Sequence, residues 1–192
     1  MNANEPRVAA LLAAGGGTRF GGPVHKLVAD LDGRPVWMWA LDHVLAADFD
    51  HVIVVTGAAE LALPPSVIER HNRRWAHGQA GSVQLAVAAA RELGATNVTI
   101  GLADQPFVGA DAWQAVALAP PEYRIVVAVY GGLLGPNPVR LRDDMWPLLP
   151  TDGDAGARDL LRGHPDWVHR VDCVGSGADI DTQEDLARWR SC

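Results

Sequence analysis

A three-layer, Rossmann-like α/β sandwich around a mainly parallel sheet is the fold this sequence predicts, and three observations predict it. Short, nearly continuous apolar runs recur at Val8–Ala14, His51–Thr56, Asn97–Ala103 and Tyr123–Tyr130, each the length of a strand buried on both faces. Segments with apolar residues at helical spacing lie between most of them. Each of the first three runs ends in a turn-forming residue, Gly15, Gly57 or Asp104-Gln105-Pro106. In a parallel sheet those three exits come out on one edge, outside the carboxyl ends of the strands, where ligands of such sheets bind.

The elements follow in order. The first run opens into Gly15-Gly-Gly-Thr-Arg-Phe-Gly-Gly-Pro-Val-His-Lys26. Asp32-Gly33 reads as a turn, and Pro35 starts a helix on which Val36, Trp39, Ala40, Val44 and Ala47 share a face. Trp37 and Trp39 read as packing residues rather than a base-stacking platform. After the second strand, Leu63-Pro64-Pro65 marks a loop before a short segment at Val67–Arg70. Gly81 and Ser82 then stand where a helix carrying Val83, Val87 and Ala90 should begin, with Ser82 as its expected N-cap. Such a helix start is also a possible anion or base-edge site, so capping and ligand binding both remain open. Ala110–Leu118 reads as a helix. Gly131–Pro136 reads as a flexible link, and Asn137 as the start of another strand. Met145–Leu149 looks helical, and Thr151–Arg158 is a loop entering a helix through Leu161. Trp167–Val171 reads as a strand, and Thr182 with Asp185 resembles a capping box for a last helix. The whole is expected to be one domain: a nucleotide-binding part at about 1–105, an acceptor-binding part at about 106–175 and a closing segment at 176–192.

Composition narrows the class. With 192 residues, 48% hydrophobic and 20% charged, the chain suits one well-buried domain. A net charge of −7 speaks against nucleic acid or an anionic membrane as a partner, so any phosphate site must be a local device. Cys173 and Cys192 are too few for a disulfide framework, and no apolar run approaches membrane-spanning length, so a cytoplasmic protein is expected. The seven histidines lack metal-ligand spacing, and His164 and His169 read as surface or satisfied histidines.

The chemistry concentrates in the first loop. Glycines let successive N–H groups approach an anion closely, and Arg19 and Lys26 add positive charge beside them. Lys26 is the only lysine in the chain, every other cationic side chain being arginine, which suggests a compact ammonium is wanted there. Asp104, at the exit of a buried strand, needs a partner; a bound Mg²⁺ and a hydrogen bond from a neighbouring turn are equally open. These parts suit nucleotidyl transfer, in which an acceptor phosphate attacks the α-phosphorus of a nucleoside triphosphate and pyrophosphate leaves. That reaction needs positioning and charge neutralisation rather than a covalent nucleophile. The loop lacks the spacing of Gly-x-Gly-x-x-Gly, which argues against a dehydrogenase.

Leu12–Gly21 resembles the signature of the GT-A-like nucleotidyltransferases. Gly78-Gln-Ala-Gly-Ser82, Leu102-Ala-Asp-Gln-Pro106, Gly153-Asp-Ala-Gly-Ala-Arg158 and Asp179-Ile-Asp-Thr-Gln-Glu-Asp-Leu186 narrow the resemblance to the MobA/MocA-like transferases, molybdenum cofactor cytidylyltransferase branch. It spans nearly the whole chain. The resemblance implies Mg²⁺ held by Asp104 and Asp181, with Asp179 a further candidate. It implies catalytic roles for Lys26, Arg19 and Asp104, and nucleotide contacts from Ala13, Ala14, Gly15, Gly16, Gly17, Lys26, Gly57, Gly81, Ser82 and Asp104. Ala14 and Ser82 point to CTP, and Asn137, Asp154 and Arg158 fall on the acceptor side, which the family fills with molybdopterin. The same chemistry with GTP or on a sugar or polyol phosphate is the alternative; another is a non-catalytic cofactor-binding or delivery protein docking to a molybdoenzyme. Two departures accompany the match: a longer Gly21-to-Lys26 spacing than the molybdopterin transferases have, and Gln183 where proline is usual.

Overall fold

The computed structural model of the chain describes residues 5–190, with the backbone alone for 133–136. Residues 1–4 and Cys192, which entered the reading of compartment, lie outside the described residues. Among the described residues no helix is long and apolar enough to cross a membrane.

The first apolar run forms β1 (Val8–Ala13). A two-residue ribbon, β2 (Asp30–Leu31) with β3 (Arg34–Pro35), turns through Asp32 and Gly33, both at positive φ. Pro35 sits one residue before α1 (Val36–Leu45), as its N-cap. Then come β4 (His51–Thr56), β5 (Ile68–His71), α2 (Gln79–Glu92), β6 (Asn97–Leu102) and α3 (Ala110–Ala117). The remainder is β7 (Ile125–Tyr130), β8 (Leu133–Arg142), a 3-10 turn over Asp143–Leu148, α4 (Arg158–Gly163), β9 (Val168–Cys173) and α5 (Gln183–Trp189). Seven strands make one sheet in the order β5-β4-β1-β6-β8-β7-β9. All adjacent pairs are parallel except those of β8, which runs antiparallel to β6 and β7. The mainly parallel α/β fold predicted from sequence is therefore the fold observed.

Alternation along β1 divides the core. Val8, Ala10 and Leu12 pack with Val83, Ala86 and Val87 of α2, while Ala9, Leu11 and Ala13 pack with Ala40 and Leu41 of α1 and Trp113 of α3. This is the two-residue period of a strand covered on both faces. A third, smaller cluster joins Phe20, Ala29, Leu31 and Val36 to Ile180 and Leu186 of the C-terminal segment.

Three expectations are corrected. The link at Gly131–Pro136 is not a loose connection: Gly131 and Gly132 both take positive φ, Tyr130 pairs with Leu133, and the result is a two-residue hairpin turn that a Gly-Gly pair makes without strain. Met145–Leu149 is not an α-helix: Met145 to Leu148 belong to a 3-10 turn that starts at Asp143, with Leu149 extended after it, and Pro147 prevents a regular α-helix. Ser82 is not an N-cap, because α2 begins three residues earlier, after Gly78 at φ 103°.

Candidate active site

The register brings the strand exits together. Leu12 is level with Val55 of β4 and Leu102 of β6, so Ala14, Gly57 and Asp104 emerge on one edge. The chain runs outward from β1 through β4 to β5, then returns to place β6 on the other side of β1. A cleft of about 740 Å³ opens there, at the position such sheets offer to ligands and of the size that takes them.

Lys26 lies at the centre. It is only 8% exposed, and its ammonium donates to Asp104 Oδ2 at 2.5 Å and to Asp181 Oδ1 at 2.6 Å. Arg19, exposed, reaches the other oxygen of Asp181 at 2.8 Å. Asp181 is delivered by the C-terminal segment, whose Ile180 N–H donates to the Asp104 carbonyl at 2.8 Å. The nearby Gln105 amide donates to Gly177 O at 2.8 Å and anchors the same segment. Burial works to lower the Lys26 pKa, but Asp104 and Asp181 outweigh it and hold the ammonium above the usual lysine value. Burial pushes the Asp104 carboxyl up; Lys26 opposes this, and the neighbouring Asp179 and Asp181 charges add to it.

The site has an acidic pair suited to a divalent cation. Asp104 Oδ1 is buried without a hydrogen-bond partner, and a buried carboxylate oxygen left so is costly unless a cation or water completes it. No group of three or more His, Cys, Asp or Glu side chains among the described residues could cage a metal. Two carboxylate donors completed by phosphate oxygens and water are a set that a small, hard divalent cation takes in preference to an all-protein cage.

Around this centre the cleft is lined by Ala13, Ala14, Gly15, Gly16, Gly17, Arg19, Ser82, Asn137, Asp154, Arg158 and Asp179 as well as Lys26, Asp104 and Asp181. The structure thus gathers nearly all the candidates read from sequence. Gly57 and Gly81 do not line the cleft. A Cβ on Gly57 would lie 2.6 Å from the Ala14 carbonyl, so this glycine admits the backbone of the first loop from behind. Gly81 sits in the first turn of α2 beside Asn72. Ser82, 3% exposed, accepts from the Asn72 amide at 2.9 Å and keeps its hydroxyl proton to donate.

The loop carrying Asp154 and Arg158 is built onto α2. Ala80 N–H donates to Gly153 O, and Gly153 N–H to His77 O. Gly78 lets this approach happen, since its Cβ would lie 2.4 Å from the Gly153 backbone. Residues missed from sequence also line the cleft: Trp75, Gln79, Thr18 and Gln105. The Trp75 ring occupies the space where a Cβ of Gly16 would sit, 2.6 Å away. Its signal was an aromatic residue three positions before a turn glycine, a weak one.

Residues 9–170 match the model of the MobA-like NTP transferase domain. The chain belongs to this family. The transferase is 32% identical to the purine catabolism protein PucB of Bacillus subtilis, over 93% of each chain. It is 30% identical to the nicotine blue oxidoreductase of Paenarthrobacter nicotinovorans, again over 93% of each. Its fold matches that of Rv0371c from Mycobacterium tuberculosis with a TM-score of 0.82 at 24% identity, covering 98% of this chain and 99% of that one. The same mycobacterial protein has also been solved as a complex with manganese, at a TM-score of 0.74 and 24% identity over 96% of this chain and 97% of that one. The transferase is accordingly a nucleotidyltransferase with the mainly parallel α/β fold of that class.

Proposed function

We propose that the transferase moves CMP from CTP to the phosphate of molybdopterin cofactor and releases pyrophosphate. The observation that carries this reading is Lys26 held between Asp104 and Asp181 beneath the glycine loop: fixed cation, two hard oxygen donors and a backbone cradle, all aimed into one cleft. The loop N–H groups and Lys26 bind and orient the triphosphate, and Arg19, exposed and held by its ion pair with Asp181, turns to neutralise charge developing on the leaving pyrophosphate. An acceptor phosphate oxygen forms the new bond to the α-phosphorus as the bond to pyrophosphate breaks. Asp104 and Asp181 would hold Mg²⁺, which when bound withdraws charge from the α-phosphate. The manganese complex of the mycobacterial neighbour supports a divalent ion here. Ala14 and Ser82 favour CTP, as a small wall and a hydroxyl able to read a base edge. Asn137, Asp154 and Arg158 would orient the pterin and its phosphate across the cleft.

The test is pyrophosphate release with CTP, GTP, ATP and UTP, each against molybdopterin and against sugar and polyol phosphates. Release only with molybdopterin and CTP is expected, abolished by chelator and restored by Mg²⁺. Release only with another acceptor or nucleotide refutes the substrate assignment. Tight molybdopterin binding without any release indicates a delivery protein instead. A parallel assay with reduced nicotinamide cofactor tests redox turnover, the activity in the name of the Paenarthrobacter relative.

A further inference from the structure

The glycine loop returns to Lys26 through Gly21-Gly22-Pro23-Val24, an exposed run in which both glycines take positive φ. Two glycines give such a run many unfolded conformations, and the Gln183 amide, donating to Gly21 O at 3.3 Å, holds its first residue. His25 ends it, and the ring of His25 makes two hydrogen bonds whose partners fix its state. Nε2 lies 2.9 Å from the Gly15 carbonyl, and a carbonyl only accepts, so Nε2 carries the proton. Nδ1 lies 3.2 Å from the Leu27 N–H, and an N–H only donates, so Nδ1 is bare. The same ring packs under Gly17, whose Cβ would meet Nε2 at 3.2 Å and Lys26 Cγ at 3.1 Å.

We infer that His25 is a positioning residue for the triphosphate cradle. Its Nε2–H holds the Gly15 carbonyl back against the ring and away from an incoming anion. Its Nδ1 caps the 3-10 turn Lys26–Val28, setting the direction from which the Lys26 side chain leaves the backbone. One imidazole thereby joins both ends of the loop, Gly15 and Lys26, and acts through them. It does not itself line the cleft. The inference rests on the nucleotide-binding reading of the loop.

Three substitutions separate the two bonds. His25→Gln keeps an amide N–H within reach of Gly15 O, His25→Asn keeps an acceptor for Leu27 N–H, and His25→Ala removes both. CTP affinity is measured by calorimetry with Mg²⁺ present, alongside Tm, KM and kcat. Expected is about tenfold weaker CTP binding for the Ala variant, the scale of two lost hydrogen bonds that pre-organise a loop. The Gln variant should return to within about threefold of wild type, and the Asn variant should stay near the Ala variant. The loss should fall on KM for CTP more than on the acceptor's KM. Equal CTP affinity in all four proteins overturns the inference; so does rescue by Asn and not by Gln, which would leave His25 a turn cap alone. Nitrogen-15 spectra of the ligand-free protein, with His25 assigned by its loss in the Gln variant, supply an arm independent of nucleotide. A ring protonated only at Nε2 supports the clamp even if no triphosphate binds, in which case the nucleotide reading fails alone. An averaged pair of nitrogen shifts overturns the clamp.

Discussion

The candidate centre is small, and single residues decide it. Lys26→Ala should lower turnover by about 10²–10³, as removal of one charge-stabilising donor does elsewhere, and should also lower Tm, because two largely buried carboxylates lose the ammonium between them; pyrophosphate release per folded protein measures the first and thermal unfolding the second. Lys26→Arg should rescue little, because a planar guanidinium cannot place one compact charge between two carboxylates 2.5 and 2.6 Å from the ammonium. These residues were legible in the sequence because each is an anomaly: a lone lysine, an acid closing a buried strand, a run of three glycines. Asp181 was legible only through the resemblance. Trp75 and Gln105 were not legible, because a tryptophan and a glutamine near a turn are ordinary residues until the fold brings them beside the loop. Gly57 misled for a related reason: its position at a strand exit was read correctly, but it serves the packing of Ala14 rather than the cleft.

At the scale of elements, the parallel strands and their helices were readable from apolar runs and spacing. The β7–β8 hairpin was not, because a Gly-Gly pair before a proline-containing segment looks the same whether it links loosely or turns tightly. Its consequence is Arg140, which β8 buries at 2% exposure. The guanidinium donates to the carbonyls of Ala117, Ala119 and Pro120 at the C-terminus of α3, where a cation is favoured. Arg140→Ala should cost roughly 3 kcal/mol in urea unfolding while leaving CTP affinity unchanged, since several carbonyls lose partners far from the cleft. The start of α2 was misplaced by four residues, from Ser82 to Gly78, because a glycine and not a polar side chain stands at its N-cap. Gly78→Ala should strain a φ of 103° and press on Gly153, costing more than about 1 kcal/mol. It should raise the KM of the acceptor more than that of CTP. The capping box of α5 gives a pH dependence: hydrogen bonds from Thr182 and Asp181 hold the Asp185 carboxylate below its ordinary value. That stability is therefore full above the unfolded aspartate value of about 3.9 and fades as pH falls through the lower folded value. The Tm difference between wild type and Asp185→Ala should accordingly be constant near neutrality and vanish in acid.

The whole molecule is a broad sheet with two large cores and one small one, and the small one holds the site together. Phe20, Leu31 and Val36 come from the segment around the glycine loop, while Ile180 and Leu186 come from the segment carrying Asp181. Trp189 packs on Phe107, with ring centroids 4.2 Å apart and the planes tilted by 35°, and Arg190 donates to Asp30 O. So few buried side chains cannot match the sheet in stability, and opening of this unit should precede global unfolding. Native-state hydrogen exchange should find the Ile180 amide less protected than those of β1, β4 and β6; equal protection would contradict a separate unit.

Because Asp104 and Asp181 follow Lys26 by 78 and 155 residues, the site also has a history during synthesis. At about 5–20 residues per second, roughly 4–15 s separate the two acids as the chain is made. Through that interval Lys26 can face one carboxylate only, and the glycine loop lacks the apolar partner that Ile180 and Leu186 later supply. The nascent chain can therefore build most of its sheet while still unable to engage a triphosphate, and competence arrives in a single late step.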